Sequence, residues 1–412
     1  MKRAVLTAIA ALAALYAIAV TWRQNEQAAG LDFYIYFVNA QIAGRADVPN
    51  VYAPEVQERV GEEYYERAQR GKSELRRYDA GRRRRLDNVS SPFLYTTLRW
   101  VSRDYDFALR QYHALVLLAF IAGVLLIARR AGVSWPPALA LLAALLLWYR
   151  GFEADLRVGN VNSLQLLLIG AALWSPPVLA GALLGILVAF KPNLILIALL
   201  LAVSRIAARD WRRLRVELAG GVAGGALAFI AAWINYGSPR VWIDWLGAAN
   251  QFWHRLQTRE ERNVAPALSL FREHGTSLSY VLAALLIAIV CIAIFRTRRR
   301  DDPLMIGLAI AIYLLSAPVV WLHYMVLALP LAIALLRNRW TAIVSLAALA
   351  MIAEEPFELL TRIAVYPHDA MHIAPALIAL FACCVWQVGQ VGVRSGNSTS
   401  ETAESSGSRR LS

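Results

Sequence analysis

Three ionisable residues lie at or near the ends of hydrophobic runs, where each could do chemistry. Asp32 follows the first apolar run, in the stretch from Gly30 to Tyr36. Lys191 precedes a proline that interrupts a long apolar run, and His323 lies in a later apolar segment. A carboxylate can act as a general base, and cationic groups can stabilise a developing negative charge. Each residue also has a structural alternative: helix capping for Asp32, an interfacial position for Lys191, and packing for His323.

Composition indicates that the elements holding these residues span a membrane. Hydrophobic residues make up 58% of the 412 residues, charged residues only 17%, and the mean hydropathy is +0.46. A soluble domain of this size could not bury so much apolar surface. Apolar runs predict about twelve transmembrane helices, several of them short enough to be tilted, broken or re-entrant. The runs are 4–20, 112–128, 136–149, 161–174, 176–190, 192–204, 216–235, 277–295, 303–317, 321–336, 340–353 and 371–390.

The distribution of charge predicts the orientation of these helices. With both termini in the cytoplasm, the cytoplasmic segments hold 18 of the 42 basic residues and 6 of the 29 acidic ones, a net charge of +12. The opposite side is then nearly neutral, as the positive-inside rule expects of short loops. The total charge of +13 therefore needs no nucleic-acid partner.

This orientation divides the chain into a membrane-embedded domain, residues 1–390, and a disordered cytoplasmic tail, residues 391–412, indicated by its Ser-rich composition. Two longer segments, 21–108 and 236–275, fall on the extracytoplasmic side. Within the first, Val56, Val60 and Tyr64 recur at helical spacing and predict an amphipathic helix.

The remaining polar stretches also fall on the extracytoplasmic side. The arginines from Arg82 to Arg85 could bind a lipid phosphate, because guanidinium matches phosphate bidentately, or they could form a solvated surface. Residues 150–162 carry two acids and two bases at the start of a helix. Pro192 breaks the helix beside Lys191 and favours a bend that lines a cavity. A site in this leaflet is therefore predicted.

Five short stretches, in order, resemble the membrane-embedded glycosyltransferases of family 87, which have the GT-C fold and use polyprenyl-phosphate sugars. The resemblance covers about residues 1 to 340. Two positions depart from the family pattern: Asn160 stands where the family usually has Gln, and Ser91 replaces a tyrosine commonly found before the proline. The stretches are Asp32-Phe33-Tyr34, Ser91-Pro92-Phe93, Gly159-Asn160-Val161-Asn162, Lys191-Pro192 and Ser316 to His323.

The resemblance implies an all-α polytopic membrane protein of GT-C type, with a large first extracytoplasmic loop. It also implies inverting transfer of a hexose or pentose, mannose first, from a polyprenyl phosphate to a glycan or lipid acceptor of the cell envelope. Asp32 would be the general base. The donor phosphate would contact Lys191, His323, Arg82 and Arg85. The sugar or acceptor would contact Tyr34, Tyr36, Asn160, Asn162 and Trp321.

No metal or other cofactor is expected, because side chains can neutralise a lipid monophosphate. The expected partners are the polyprenyl-phosphate sugar, the acceptor and the bilayer of the cell membrane. Two alternatives stay open. A secondary transporter would also have about twelve spans, but it typically shows two related halves. A lipid-linked glycan polymerase or ligase would use a diphosphate donor, and its large loop would be expected late in the chain.

Overall fold

The structure is a computed structural model that describes residues 2–26, 28–256, 264–267, 275–298, 301–353 and 372–397. Over these residues every regular element is a helix, so the predicted all-α class is confirmed. Two short segments, Pro192–Leu194 and Leu322–Ala328, are 3-10 helices. The α-helices are α1 (Lys2–Asn25), α2 (Leu31–Ile42), α3 (Pro54–Gln69), α4 (Glu74–Arg82), α5 (Pro92–Thr97), α6 (Tyr105–Arg130), α7 (Trp135–Trp148), α8 (Arg150–Val158), α9 (Asn162–Trp174), α10 (Pro177–Phe190), α11 (Ile195–Ala207), α12 (Trp211–Tyr236), α13 (Val241–Leu256), α14 (Gly275–Thr297), α15 (Asp302–Ser316), α16 (Leu329–Leu335), α17 (Arg339–Met351) and α18 (Ile373–Asn397).

Every apolar run that the sequence marks as a span contains helix, but few of these helices are long. Among the described residues, four are long and apolar enough to cross a membrane, and a bent pair, α8 with α9, raises this to five. The four are Lys2–Asn25, Tyr105–Arg130, Trp211–Tyr236 and Leu278–Thr297. The shorter apolar helices match the short runs of the sequence, and the count of twelve crossings stays a prediction.

The long helices present apolar side chains outward, as a membrane protein requires. Leu12 of α1 is 67% exposed, and Val222 and Ile234 of α12 are 73% and 75% exposed. Such surfaces are unfavourable in water and suit a lipid environment. On its inner side α12 packs closely against α10. A Cβ atom added at Gly220 or Gly224 would clash with the backbone of α10, so only glycine fits at these two positions. Small residues at helix interfaces permit this approach in membranes.

The first longer segment predicted to be extracytoplasmic folds as a small helical cap over this bundle. α3 begins with Pro54 at its first position and buries Val56, Val60 and Tyr64 on one face, which confirms the predicted amphipathic helix. It packs on α4, whose N-cap Ser73 accepts a hydrogen bond from the backbone N–H of Arg76. α2 lies beneath the cap and is buried over most of its length.

A buried ion cluster joins three helices at the far end of α11. The Arg205 side chain, 1% exposed, contacts Glu217 of α12 at 3.1 Å and Asp302 of α15 at 2.6 Å. Arg213 contacts the same two carboxylates, each at 2.7 Å. Two cations and two anions thus neutralise one another in a largely buried setting, which is the condition for tolerating buried charge.

Two parts of the predicted division fall wholly or partly outside the described residues. Of the second segment predicted to be extracytoplasmic, 236–275, the structure describes residues 236–256, 264–267 and 275. α18 continues to Asn397, past the predicted boundary at residue 390, and residues 398–412 lie outside the description.

Candidate active site

Asp32 lies in the first turn of α2 and is held by one donor on each carboxylate oxygen. Oδ1 accepts a hydrogen bond from Nη2 of Arg83 at 2.9 Å, and Oδ2 accepts one from Nδ2 of Asn160 at 2.7 Å. The side chain keeps 19% of its exposure. A carboxylate oxygen can accept more than one hydrogen bond, so both oxygens retain capacity for a further donor.

A chain of side-chain hydrogen bonds runs from Asp32 to Lys191. Oδ1 of Asn160 accepts from Nδ2 of Asn162 at 3.1 Å, and Oδ1 of Asn162 accepts from Nζ of Lys191 at 3.3 Å. The Lys191 ammonium also lies 3.9 Å from the centre of the Tyr324 ring, a cation–π contact. Residues far apart in sequence are therefore brought together by two asparagines.

The two asparagines are positioned by a sharp bend between α8 and α9, whose axes differ by 115°. Gly159 ends α8 at φ +68°, a conformation that costs other residues free energy. Asp155 then caps α9, because its carboxylate accepts hydrogen bonds from the Asn162 amide and from the backbone N–H and hydroxyl of Ser163. A carboxylate at a helix N-terminus is favoured by the helix dipole. Asp155, one of the four charged residues noted in the stretch 150–162, thus stabilises the bend.

Lys191 is placed by the break between α10 and the next 3-10 segment. Its backbone is extended, at φ −153° and ψ 102°, and Pro192 follows directly. Ser91 supports this break, since its hydroxyl donates to the carbonyl of Phe190 at 3.1 Å. The Ser-Pro-Phe stretch therefore contacts Phe190, the residue directly before the Lys-Pro stretch.

His323 and Trp321 lie at the start of the 3-10 segment Leu322–Ala328, where the sequence predicts a membrane helix. The carbonyl of His323 accepts a hydrogen bond from Asn162 at 3.2 Å, and its ring packs edge-on against Tyr324. Trp321 precedes the segment and is partly exposed.

The two predicted tyrosine contacts lie on different faces of α2. Tyr36 is one turn after Asp32, on the same face of the helix, and is buried. Tyr34 is two residues after Asp32 and packs edge-on against Tyr105, with ring centres 5.5 Å apart. Tyr34 is fully buried and has no described contact with Asp32, and its predicted contact with the sugar or acceptor stays a prediction.

The structure distinguishes the arginines of the cluster, while the phosphate contacts of Arg82 and Arg85 stay a prediction. Arg82 lies over the ring of Tyr78 and Arg85 lines a small polar recess with Asn88, and both are exposed. Neither has a described contact with Asp32, whereas Arg83, between them, does. The sequence could not select one arginine from the cluster, because the end of α4 decides which side chain turns inward.

The sequence contains one Asp-x-Asp stretch, Asp104-Tyr105-Asp106, which on residue types alone could bind a metal. The structure gives these acids other partners. Asp104 caps α6 by accepting from the backbone N–H of Phe107, and Asp106 accepts from the hydroxyl of Ser73. Asp104 therefore caps α6, and Asp106 connects α6 to the N-cap residue of α4.

Comparison with known proteins adds one finding. A family model described as glycosyltransferase family 87 matches residues 90–320, more than half of the chain. Asn160, Asn162 and Lys191 lie within the matched residues, while Asp32 precedes them and His323 follows them. No curated protein and no solved structure matches the chain.

Proposed function

The chain belongs to glycosyltransferase family 87, a GT-C type membrane family, and on that premise we propose that it uses a polyprenyl-phosphate sugar as donor. It moves a hexose or pentose, mannose in the first instance, to a glycan or lipid acceptor of the cell envelope. The transfer occurs with inversion on the extracytoplasmic face of the cell membrane, and both termini are cytoplasmic. What supports this placement is the excess of basic residues on the other side.

Asp32 is the general base of the proposed reaction. The acceptor hydroxyl attacks the anomeric carbon, its proton passes to the Asp32 carboxylate, and the bond from the anomeric carbon to the phosphate oxygen breaks. A single carboxylate suffices for this step in an inverting transfer, since no covalent intermediate has to form. The retained acceptor capacity of both Asp32 oxygens supports the assignment.

The departing polyprenyl phosphate carries away the bonding electrons, and cations must stabilise its growing charge. Lys191 is the proposed phosphate clamp, because it lies in the same hydrogen-bond network as Asp32 and faces the Tyr324 ring. The His323 ring makes a second phosphate or sugar contact. Asn160, Asn162, Tyr36 and Trp321 are the proposed contacts of the sugar and the acceptor.

The observation that carries the proposal is the chain of hydrogen bonds from Asp32 through Asn160 and Asn162 to Lys191. It joins a base and a cation from separate helices, which is the arrangement that a transfer from a lipid phosphate needs. Packing or capping of single residues does not account for a connected network of this kind.

Replacement of the base tests this function. Asp32→Asn should lower transfer by at least about 10²-fold, the usual contribution of a general base, while donor binding stays near that of the wild type. Purified protein would be incubated with a panel of polyprenyl-phosphate sugars and envelope acceptors, and products detected by mass spectrometry.

The matched control for this experiment is Asp47→Asn, which removes an exposed carboxylate of the same extracytoplasmic segment. It should leave turnover unchanged. Substantial turnover by Asp32→Asn, or solute transport without any covalent product, would contradict the proposal.

A further inference from the structure

One face of α4 contacts the proposed base and the two residues directly before it. Asp79 and Arg83 are four residues apart, so they lie on the same face at the end of this helix. Asp79 accepts hydrogen bonds from the backbone N–H of Gly30 at 3.1 Å and from the hydroxyl of Tyr105 at 2.6 Å. Burial raises the pKa of Asp79, an effect that these two donors oppose. This contact fixes the backbone two residues before Asp32.

Arg83 makes the second contact of this face with two atoms of its guanidinium group. Nε donates to the carbonyl of Leu31 at 3.2 Å, and Nη2 donates to Oδ1 of Asp32 at 2.9 Å. Asp87 lies at 3.8 Å from Nη1, on the outer side. Because the guanidinium is planar, two fixed donors set its plane and with it the direction from which Asp32 is held.

The segment that carries Arg83 is itself held in place. The next residue, Arg84, turns to the opposite side, where it pairs with Glu62 of α3 and stacks on the Tyr65 ring. The carbonyl of Arg84 packs against Gly61, which leaves no room for a Cβ atom there, and Leu86 is fully buried. The inward direction of Arg83 is therefore built into the extracytoplasmic cap.

We propose that Arg83 is the positioning residue of the base: together with Asn160 it fixes the plane of the Asp32 carboxylate toward the acceptor hydroxyl. This inference rests on the proposed function of Asp32 and names a residue that acts through it. Arg83 holds Oδ1 and Asn160 holds Oδ2, so the carboxylate is fixed from two sides. The helical cap thereby contributes to catalysis, because it holds the arginine that positions the base.

The contact is open enough to be tested by chemical rescue. The Arg83 side chain is 26% exposed and that of Asp32 is 19% exposed, so a small cation can enter when the arginine is truncated. Arg83→Ala should lower kcat by about 10²-fold, the effect of a misplaced catalytic group, while the donor KM changes by less than about threefold. Added methylguanidinium should restore about tenfold of the lost rate, in line with one charge-assisted hydrogen bond.

Arg83→Lys gives a second measurement that does not depend on the truncated variant. Lysine keeps a positive charge and three donors but lacks the planar fork, so this variant should retain a kcat between those of the wild type and Arg83→Ala. Arg70→Ala is the matched control, since it removes an arginine of the same cap whose side chain is 79% exposed and pairs with Glu66 on the surface of α3. It should keep the wild-type kcat, and methylguanidinium should have no effect on it.

Three results would overturn the positioning role. They are an unchanged kcat in Arg83→Ala, a raised donor KM at unchanged kcat, which would make Arg83 a phosphate ligand, and an equal loss in Arg70→Ala. The proposed function is judged separately by Asp32→Asn. If that variant is inactive while Arg83→Ala is fully active, the inference about Arg83 alone fails. If Asp32→Asn is active, the assignment of the base fails.

Discussion

At the scale of single residues, the site depends on amide side chains that both donate and accept. Asn160 donates to Asp32 and accepts from Asn162, and Asn162 donates to Asp155 and accepts from Lys191. An acidic or basic residue at either position could not do both, because carboxylates only accept and ammonium groups only donate. The amide that Asn160 preserves at a position where the resemblance expects Gln is thus the chemically important feature.

Lys191 provides a prediction at this scale. Lys191→Ala should weaken binding of a polyprenyl phosphate by about tenfold or more, because a charge-assisted hydrogen bond to the phosphate is lost. Native mass spectrometry of the purified protein titrated with the lipid would measure the affinity.

Lys72→Ala is the control for Lys191→Ala, because Lys72 is an exposed lysine in the turn between α3 and α4. It should not change the affinity. Equal binding by wild type and Lys191→Ala would leave Lys191 with a purely interfacial role.

At the scale of elements, two bends place the functional groups: the turn between α8 and α9 and the break after α10. At the first, Gly159 packs directly on α2, and a Cβ atom added there would lie 2.7 Å from the Cβ of Phe33, the neighbour of Asp32. The bend therefore sets the distance between Asn160 and the proposed base as well as the direction of α9.

Gly159→Ala should consequently lower kcat by more than backbone strain at this position alone would. The left-handed conformation at φ +68° costs a residue with a Cβ about 1–2 kcal/mol. The contact with Phe33 must in addition shift α2 against α9, and a misplaced catalytic pair should lower kcat by about tenfold or more. Transfer rates and melting temperatures of the purified variants would test this.

The control is Gly132→Ala, at φ +80° but with nothing within 4 Å of the added Cβ. It carries similar backbone strain without the contact, so it should lower the melting temperature and keep kcat. A similar loss of kcat in both variants would show that strain alone is responsible.

At the scale of the whole molecule, α11 separates two polar centres of different character. Lys191 lies just before its first turn, through the 3-10 segment, and Arg205 lies in its last turn. A helix of this length spans about 20 Å. One end of the bundle thus carries the proposed site. The other end carries a neutralised ion cluster beside the loop 205–215, which is predicted to be cytoplasmic.

The predicted orientation can be tested on this basis in intact cells. A cysteine in place of Lys72 should react with a membrane-impermeant maleimide, whereas one in place of Arg212 should react only after the membrane is permeabilised. Both positions are exposed. The background would be a variant without Cys291, Cys383 and Cys384, and the opposite labelling pattern would reverse the assigned sides.

Much of the architecture could be predicted from local patterns. The apolar runs marked the helices because a membrane demands long apolar stretches, and the spacing of Val56, Val60 and Tyr64 marked α3 because a buried face repeats with the helical period. The choice of Arg83 rather than Arg82 or Arg85 could not be predicted, since it depends on where α4 ends and how α3 holds the following segment.

The sequence by itself determined the all-helical membrane class, the resemblance to the family and the candidates Asp32, Lys191 and His323, since composition, periodicity and short motifs are local properties. Tertiary structure alone decided that Asn160 and Asn162 connect Asp32 to Lys191 and that Arg83 holds the Asp32 carboxylate. These relations join residues distant along the chain, and they follow from bends and packing that no single stretch of sequence contains.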